Sequence, residues 1–389
     1  MNRDAEVVSI AEAADVLGVK ESTVYAYISR GLLSRTRLPR DRRSWLSRAQ
    51  VETFKDRKGT RGLLRDEDPM AAADFTHVAS IVEDRLLFRQ RDATELARTA
   101  GFEEVCTLLW GDADSAPVRA LDADLVSAIH ALQATMPPTS LPLDRLKVTT
   151  NLLGARDPFR YDLSMPSVLA AARSMAPAFV ESLPAPASAL GPDCSIAERL
   201  WERLTAEPAT PDRVAVLSAA LVLVAEHGLG PSTRAVREAA ATAADPYSAV
   251  LAGMSVASGL LLGGGSSLAV HAWLCDITSP ESVARVVEQR LQRGDRLSGF
   301  GQPRYRRRDP RAATLLELLA ESQADPERLR IVNAAVDLVR RRRGLEPNAE
   351  FALGALCFVH SMSEGAGEAV FVIGRCAGWI AHALEVYNR

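Results

Sequence analysis

Lysine is nearly absent from this 389-residue chain: Lys20, Lys55, Lys58 and Lys147 are the four among 46 basic residues, the rest being arginine. That bias reads as coding composition and excludes no function. Aromatic residues are scarce, at 5%, while alanine and leucine dominate the apolar set, which disfavours a strand-built core and favours helix. Cys106, Cys194, Cys275, Cys357 and Cys376 are odd in number, scattered, and without a Cys-x-x-Cys pair. This excludes a disulfide framework and a cysteine-built metal centre, and it predicts buried thiols in a reducing cytoplasm. No metal-ligating set is recognisable. No apolar run reaches the roughly 18 residues needed to span a bilayer. Met1 to Glu6 lack the charged-then-apolar layout of a secretion signal. A cytoplasmic protein with no membrane partner is expected.

What is present begins with length and charge. A chain of 389 residues, 47% apolar and 24% charged, has room for two or three domains with sizeable cores. The charge is unevenly spread. Residues 1–65 hold 14 Lys+Arg against 8 Asp+Glu, and the remainder 32 against 41, so a module of +6 precedes a body of −9. An anionic partner is therefore expected for the first module alone.

In that module Ser9 followed by Ile10–Leu17 reads as a capped helix, with Glu12 three residues on from the cap. Gly18-Val19 supplies a tight turn, and Ser22–Arg30 a second helix stopped by Gly31. Ala13, Ala14, Leu17, Val24 and Ile28 have the spacing of a shared core, leaving Thr23, Tyr25, Tyr27 and Arg30 for outside contacts. This is helix-turn-helix spacing. The segment resembles the winged type of excisionases and MerR-like regulators, with Leu32–Leu46 as the wing and Arg48–Phe54 a closing helix. Arg35, Arg37, Arg40, Arg42 and Arg43 in the wing are the candidates for phosphate contact, and double-stranded DNA is the expected partner. One such module needs a dimer to read two half-sites. Residues 1–58 make the module and 59–70 a polar linker.

The body carries ordered motifs. Phe102-Glu103-Glu104-Val105 and Leu108-Leu109-Trp110-Gly111 form one amphipathic helix, with Phe102, Val105, Leu108 and Leu109 on one face. Further on come Glu226-His227-Gly228-Leu229, then Leu262-Gly263-Gly264-Gly265 after an apolar helix from Ser248. Gly299-Phe300-Gly301-Gln302 leads to Asp309-Pro310-Arg311, and Asn348-Ala349-Glu350-Phe351 and Arg375-Cys376-Ala377-Gly378-Trp379-Ile380-Ala381-His382 close the series. Together they resemble the citrate synthase family over about 310 residues. The resemblance implies a mainly α architecture, a winged helix-turn-helix followed by an all-helical two-domain dimer. The large domain would take 71–262 plus 353–389 and the small domain 263–352, with the ligand cleft between them.

The resemblance also assigns roles. His227 falls where the family binds the carboxylate and carbonyl of oxaloacetate, and Arg311 and Arg375 where it binds substrate carboxylates. Gly264 and Arg306 fall where coenzyme A is approached. Leu262 stands where a histidine stabilises the enol of acetyl-CoA, and Gln302 where a second histidine polarises and protonates the ketone. Glu350 replaces the aspartate that removes the methyl proton. The family needs no cofactor, acetyl-CoA or another acyl-CoA being a substrate or ligand. The chain ends at Arg389, before the tail that lends the partner subunit a further arginine.

The grip on a dicarboxylate is thus kept while two proton-transfer groups are replaced and a third is lengthened. Three readings stay open. One is a catalytically impaired protein binding a 2-oxo-dicarboxylate or acyl-CoA as a regulatory ligand. Another is a divergent citrate or 2-methylcitrate synthase-type acyltransferase. The third is a non-catalytic partner of an active paralogue, in a heterodimer rather than a homodimer.

Overall fold

The structure is a computed structural model and describes residues 7–17, 19–21, 24–25, 28, 35–36, 45–48, 51, 76–112, 121–186, 190–259, 263–295 and 297–388. The chain divides into two compact units, Met1–Glu67 and Asp68–Arg389.

In the first unit β1 (Val7–Ser9), α1 (Ile10–Leu17), β2 (Arg35–Thr36) and β3 (Trp45–Ser47) are defined. Ser9 and Glu12 close the expected capping box: the Ser9 N–H donates to Glu12 Oε2 at 2.8 Å and the Glu12 N–H to Ser9 Oγ at 3.2 Å. Ala13, Ala14, Leu17 and Val24 are buried together with Val8, Ile10, Leu46 and Val51, and Ile28 packs against them. The wing is more than a hairpin. β3 lies between β1 and β2, antiparallel to both, so Val7–Ser9 adds a strand that the sequence reading omitted. Its alternation is three residues long, too short to register as a period. Tyr25 is exposed, as expected of an outward-facing residue. Arg35 starts β2. Thr23, Tyr27, Arg30, Arg37, Arg40, Arg42 and Arg43 lie outside the described residues.

The second unit opens with a three-stranded meander, β4 (Ala79–Val82), β5 (Arg85–Phe88) and β6 (Arg91–Asp92), so it is not all-helical as expected. Both connections are two-residue turns, Glu83-Asp84 and Arg89-Gln90, with every central φ positive, from 45° to 72°. Such turns match the twist of the strands they join. Asn-Gly or Asp-Gly, their usual sequence sign, is missing here.

The rest is helical: α2 (Ala93–Thr99), α3 (Phe102–Trp110), α4 (Ala123–Ala134), α5 (Pro142–Arg156), α6 (Met165–Glu181), α7 (Ile196–Leu204), α8 (Pro211–Ala225), α9 (Pro231–Ala241), α10 (Pro246–Ala257), α11 (Gly263–Cys275), α12 (Val283–Gln292), α13 (Pro310–Glu321), α14 (Pro326–Arg343), α15 (Ala349–Val359) and α16 (Ala366–Tyr387). Phe102, Val105 and Leu109 of α3 are buried and Leu108 is partly so, the predicted face. The apolar helix expected from Ser248 to Leu262 is α10. It stops at Ala257, capped by Ser258, and its buried face packs on α9, α5 and α16 of the same chain. Residue 353 lies inside α15.

The core axis is α16, buried along nearly its whole length. By length and composition it could cross a membrane, but 89% of its apolar window is covered by the surrounding fold. Gly378 lets α16 meet the end of α8, since a Cβ there would come within 2.3 Å of the Ala225 carbonyl oxygen. All five cysteines are free, and the expectation of burial holds for Cys106, Cys357 and Cys376 only. Cys275, in the last turn of α11, is exposed, and Cys194 is half-buried.

Candidate active site

The site forms where α8 ends. Ala225 closes an apolar helix, and Glu226 follows in extended backbone with His227 after it. His227 is buried and its Nε2 is hydrogen-bonded to the Tyr305 hydroxyl at 2.9 Å. Burial, reinforced by Arg311, Arg375 and Arg304, holds the imidazole well below its usual pKa, so it is neutral at pH 7. A neutral imidazole offers a hydrogen bond without a charge.

Arg311 enters from the first turn of α13. Asp309 caps that helix, accepting from the Arg311 N–H at 3.0 Å, and also grips the guanidinium: Nε donates at 3.0 Å and Nη2 at 2.7 Å. Burial opposes the charge on Arg311, and this two-pronged pairing overcomes it and raises the pKa. A third task for Asp309 is to accept the Ala349 N–H at 3.2 Å, which fixes the start of α15 beside Arg311. One carboxylate therefore sets the positions of both Arg311 and the turn that carries Glu350.

Arg375 comes from the middle of α16. Its Nε donates to the Val224 carbonyl at 2.6 Å and its guanidinium lies 4.8 Å from the Phe371 ring centre. Burial pushes its pKa down to about 10, partly offset by Glu226, so it stays charged at neutral pH. Glu226 is fully buried, with His382 Nε2 at 3.2 Å, an ion-pair distance without hydrogen-bond alignment. Burial opposes ionisation of Glu226, and His382 and Arg375 outweigh it, keeping the carboxyl below its ordinary range. Arg375 and His382 are seven residues apart, two turns along one face of α16.

Gln302 sits on a loop that is knitted to the segment leading into α15, whose first turn carries Glu350. The Gly301 N–H donates to the Glu346 carbonyl at 2.8 Å, the Asn348 N–H to that of Gly299 at 2.9 Å, and Asn348 Nδ2 to that of Gly301 at 3.1 Å. Gly299 has φ +92°, and a Cβ there would lie 2.8 Å from that of Phe351, so the position tolerates only glycine. Gln302 Oε1 accepts the Arg304 N–H at 3.2 Å, leaving its NH2 as the end able to donate. Glu350, in the first turn of α15, is half-buried, and its Oε2 is buried with no hydrogen-bond partner. Arg311 and Arg375 both feel its charge.

Thus His227, Arg311, Arg375 and Glu350 converge, while Gln302 is tied to them through Arg304, whose N–H its Oε1 accepts and whose Nη1 donates to the His227 carbonyl. Gly264 lies in the first turn of α11, and Leu262 is outside the described residues. Arg306 is exposed, and its N–H donates to Asp84 Oδ1 at 2.6 Å, next to the Arg307 N–H on Oδ2 at 3.2 Å. A cavity of about 150 Å³ beside Gln302 is lined by Arg307, Arg308, Leu345 and Glu346 among others, and Arg306 does not line it. Sequence reasoning gave no role to Tyr305, Arg304, Asp309, Glu226 or His382. The seven-residue step from Arg375 to His382 was a signal for His382 alone. Among the described residues, no group of three or more His, Cys, Asp or Glu could hold a metal ion.

Comparison with known proteins identifies the family and the fold. The family described as "Citrate synthase, C-terminal domain" matches residues 70–389, and "Helix-turn-helix domain" matches residues 7–58. The 2-methylcitrate synthase 1 of Corynebacterium glutamicum is 25% identical over 362 residues, covering 85% of this chain and 92% of its own. The citrate synthase 2 of Bacillus subtilis is 27% identical over 343 residues, covering 81% and 90%. In fold, the citrate synthase of Pyrobaculum aerophilum superposes with a TM-score of 0.66 at 22% identity, over 92% of each chain. A citrate synthase from Thermoplasma acidophilum, solved with carboxymethyl coenzyme A and oxaloacetate, gives 0.66 at 22%, over 82% of this chain and 92% of its own. By its motifs, its fold and the family match over residues 70–389, the chain belongs to the citrate synthase family and bears an N-terminal helix-turn-helix domain.

Proposed function

We propose that this protein is a DNA-binding member of the family whose body binds a 2-oxo-dicarboxylate or acyl-CoA as a regulatory ligand and has lost most of its catalysis. The observation that carries the reading is the contrast within one cluster. His227, Arg311 and Arg375 stand together around Tyr305, while the neighbouring proton-transfer position is Gln302, whose amide donates a hydrogen bond but delivers no proton. Loss of a general acid–base group costs about 10² to 10⁴ in rate. Glu350 adds a displacement of roughly 1 Å, worth about 100-fold in a positioned reaction. Leu262, at the other histidine position, adds a loss argued from sequence alone.

Relatives named citrate and 2-methylcitrate synthases support a small oxo acid and an acyl-CoA as the ligand classes. The cavity beside Gln302, with Arg307 and Arg308 on its wall, suits the phosphates of the latter. The body would act as a dimer in the cytoplasm, with residues 263–352 closing on the remainder when ligand binds. Pairing with an active paralogue is the alternative arrangement.

A second reading, a divergent acyltransferase, is favoured by Glu350 Oε2, a buried carboxylate oxygen without a partner and so placed to take a proton. Titration calorimetry against oxaloacetate, citrate and acetyl-CoA, beside a thiol-release assay, separates the two. The regulatory reading expects binding, with coenzyme A release at least about 10⁴-fold below an ordinary enzyme. It also expects the joint replacement Leu262→His, Gln302→His and Glu350→Asp to raise any residual rate. A turnover above about 1 s⁻¹ in the native chain, within the common enzyme range, would sink it and establish the acyltransferase.

A further inference from the structure

Residues 302–308 carry Gln302, Arg304 and Tyr305 but form no helix or strand. No regular ladder fixes their backbone, so its course depends on individual bonds at a few points. At the front Gly301 is tied to Glu346 and Asn348, and at the back Asp309 caps α13. Between these ends two residues from earlier in the chain hold the segment. His227 accepts Arg304 Nη1 at its carbonyl and meets the Tyr305 hydroxyl at Nε2, at 2.6 and 2.9 Å. Asp84 takes two backbone donors that follow: its Oδ1 accepts the Arg306 N–H at 2.6 Å and its Oδ2 the Arg307 N–H at 3.2 Å.

Asp84 stands 222 residues before Arg306, in the β4–β5 turn. That turn has φ +50° at Glu83 and +63° at Asp84, and glycine is the residue such a turn favours at its second central position. Asp84 takes the place of that glycine. It accepts left-handed backbone less readily than glycine, though better than most residues. What it adds is a carboxylate with two acceptor oxygens. A departure from a local rule that comes with a compensating contact points to function. The other turn of the meander behaves alike: Arg89, also at positive φ, commits its side chain to the Leu109 carbonyl, at 2.9 Å from Nη2, and ties the sheet to α3. Asp84 instead reaches the segment that meets His227.

We propose that Asp84 is a positioning residue for the cleft: by gripping the Arg306 and Arg307 amides it holds Tyr305 and Arg304 against His227, and so sets the affinity for the ligand. The assignment rests on the reading above that this cleft takes a small oxo acid. In the closure proposed there, the segment belongs to 263–352 and Asp84 and His227 to the remainder, so the grip bridges the two parts that close. Without it the segment samples other arrangements. Apparent affinity then falls in proportion to the fraction of chains that keep the competent one.

The test compares the full-length protein with its Asp84→Gly and Asp84→Asn variants by thermal melts, hydrogen exchange over residues 304–308 and titration calorimetry with oxaloacetate. Asp84→Gly suits the turn and removes both acceptors. It should melt close to the native temperature, exchange the Arg306 and Arg307 amides faster, and weaken oxaloacetate about 10- to 100-fold, the scale of one or two charged hydrogen bonds. Asp84→Asn also tolerates the turn and keeps one side-chain oxygen, so it should recover part of the affinity. A purely structural role would move the melt and leave the affinity alone. In Asp84→Gly, unchanged exchange, or faster exchange with native oxaloacetate affinity, overturns the proposal and leaves the reading of the cleft standing. If Asp84→Gly unfolds early, Asp84→Asn carries the comparison, and native affinity in that variant overturns the proposal equally. A native chain that does not bind oxaloacetate overturns both, before any variant is made.

Discussion

The Tyr305 hydroxyl lies 2.9 Å from Nε2 of His227, so the buried imidazole already has a hydrogen-bond partner inside the protein. Tyr305 is itself buried, and burial keeps its hydroxyl protonated against the pull of Arg311, Arg304 and Arg375. A ligand that uses His227 must replace this bond or share it.

Removing the hydroxyl tests that relationship. Tyr305→Phe leaves His227 Nε2 buried and unsatisfied, at a cost of about 1–3 kcal/mol. The thermal midpoint of the body should fall accordingly. An oxo-dicarboxylate then supplies the missing partner without displacing anything, so its stabilising shift should exceed that in the native chain. Melts with and without oxaloacetate measure both effects. A shift no larger than native would mean that the ligand does not touch His227.

A pH effect is expected away from the cleft. Glu368, in the first turn of α16, is buried, and its Oε2 has no hydrogen-bond partner. Burial raises its pKa to about 7; Asp144 and Glu364 add to this and Lys147 opposes it. The positive end of α16 favours the carboxylate by about 0.3–1 kcal/mol, too little to offset burial. Between the unfolded value and about 7, the unfolded chain loses this proton while the folded chain keeps it. Stability therefore falls as pH rises through that window, and the loss is complete above it. The shift corresponds to about 3 kcal/mol. Glu368→Gln removes the penalty. Unfolding midpoints should show the variant more stable than the native chain at pH 8 and similar near pH 4.5. A gap of equal size at both values would show that Glu368 titrates normally.

How much of this was legible in the sequence depended on whether a residue acts through its type or through its neighbours. The capping box at Ser9 and Glu12 was readable because its two partners are three residues apart. The convergence of His227, Arg311 and Arg375 was readable because each sits in a recognisable string. The meander at 79–92 was not, since its turns use Glu83-Asp84 and Arg89-Gln90 in left-handed backbone without the glycine or asparagine that marks such turns. Asp309 reads as an ordinary helix cap, and nothing in its string shows that it also holds Arg311 and the start of α15. The length of α10 was overread because the apolar run continues past Ser258, where the helix ends.

DNA binding is expected of the first unit, and its salt dependence is the cleanest measure of how. The module carries +6 over residues 1–65 on a chain of −3 overall, so long-range attraction to the DNA backbone is expected at this end. Each arginine placed on a phosphate releases condensed counterions, and the logarithm of affinity falls with the logarithm of salt by about 0.9 per contact. Arg40→Ala and Arg42→Ala, at positions outside the described residues, should each flatten that slope by about 1 and weaken all sequences alike. Tyr25→Ala removes an exposed side chain of the second helix, and it should instead narrow the difference between a target and unrelated DNA. A single module reads one half-site, so the bound species should contain two chains, twice the 42.0 kDa of one. Fluorescence anisotropy across a salt series, with sizing of the complex, measures all three. Absence of any binding to DNA from the protein's own locus, even at low salt, would recast the module as a protein-contact domain.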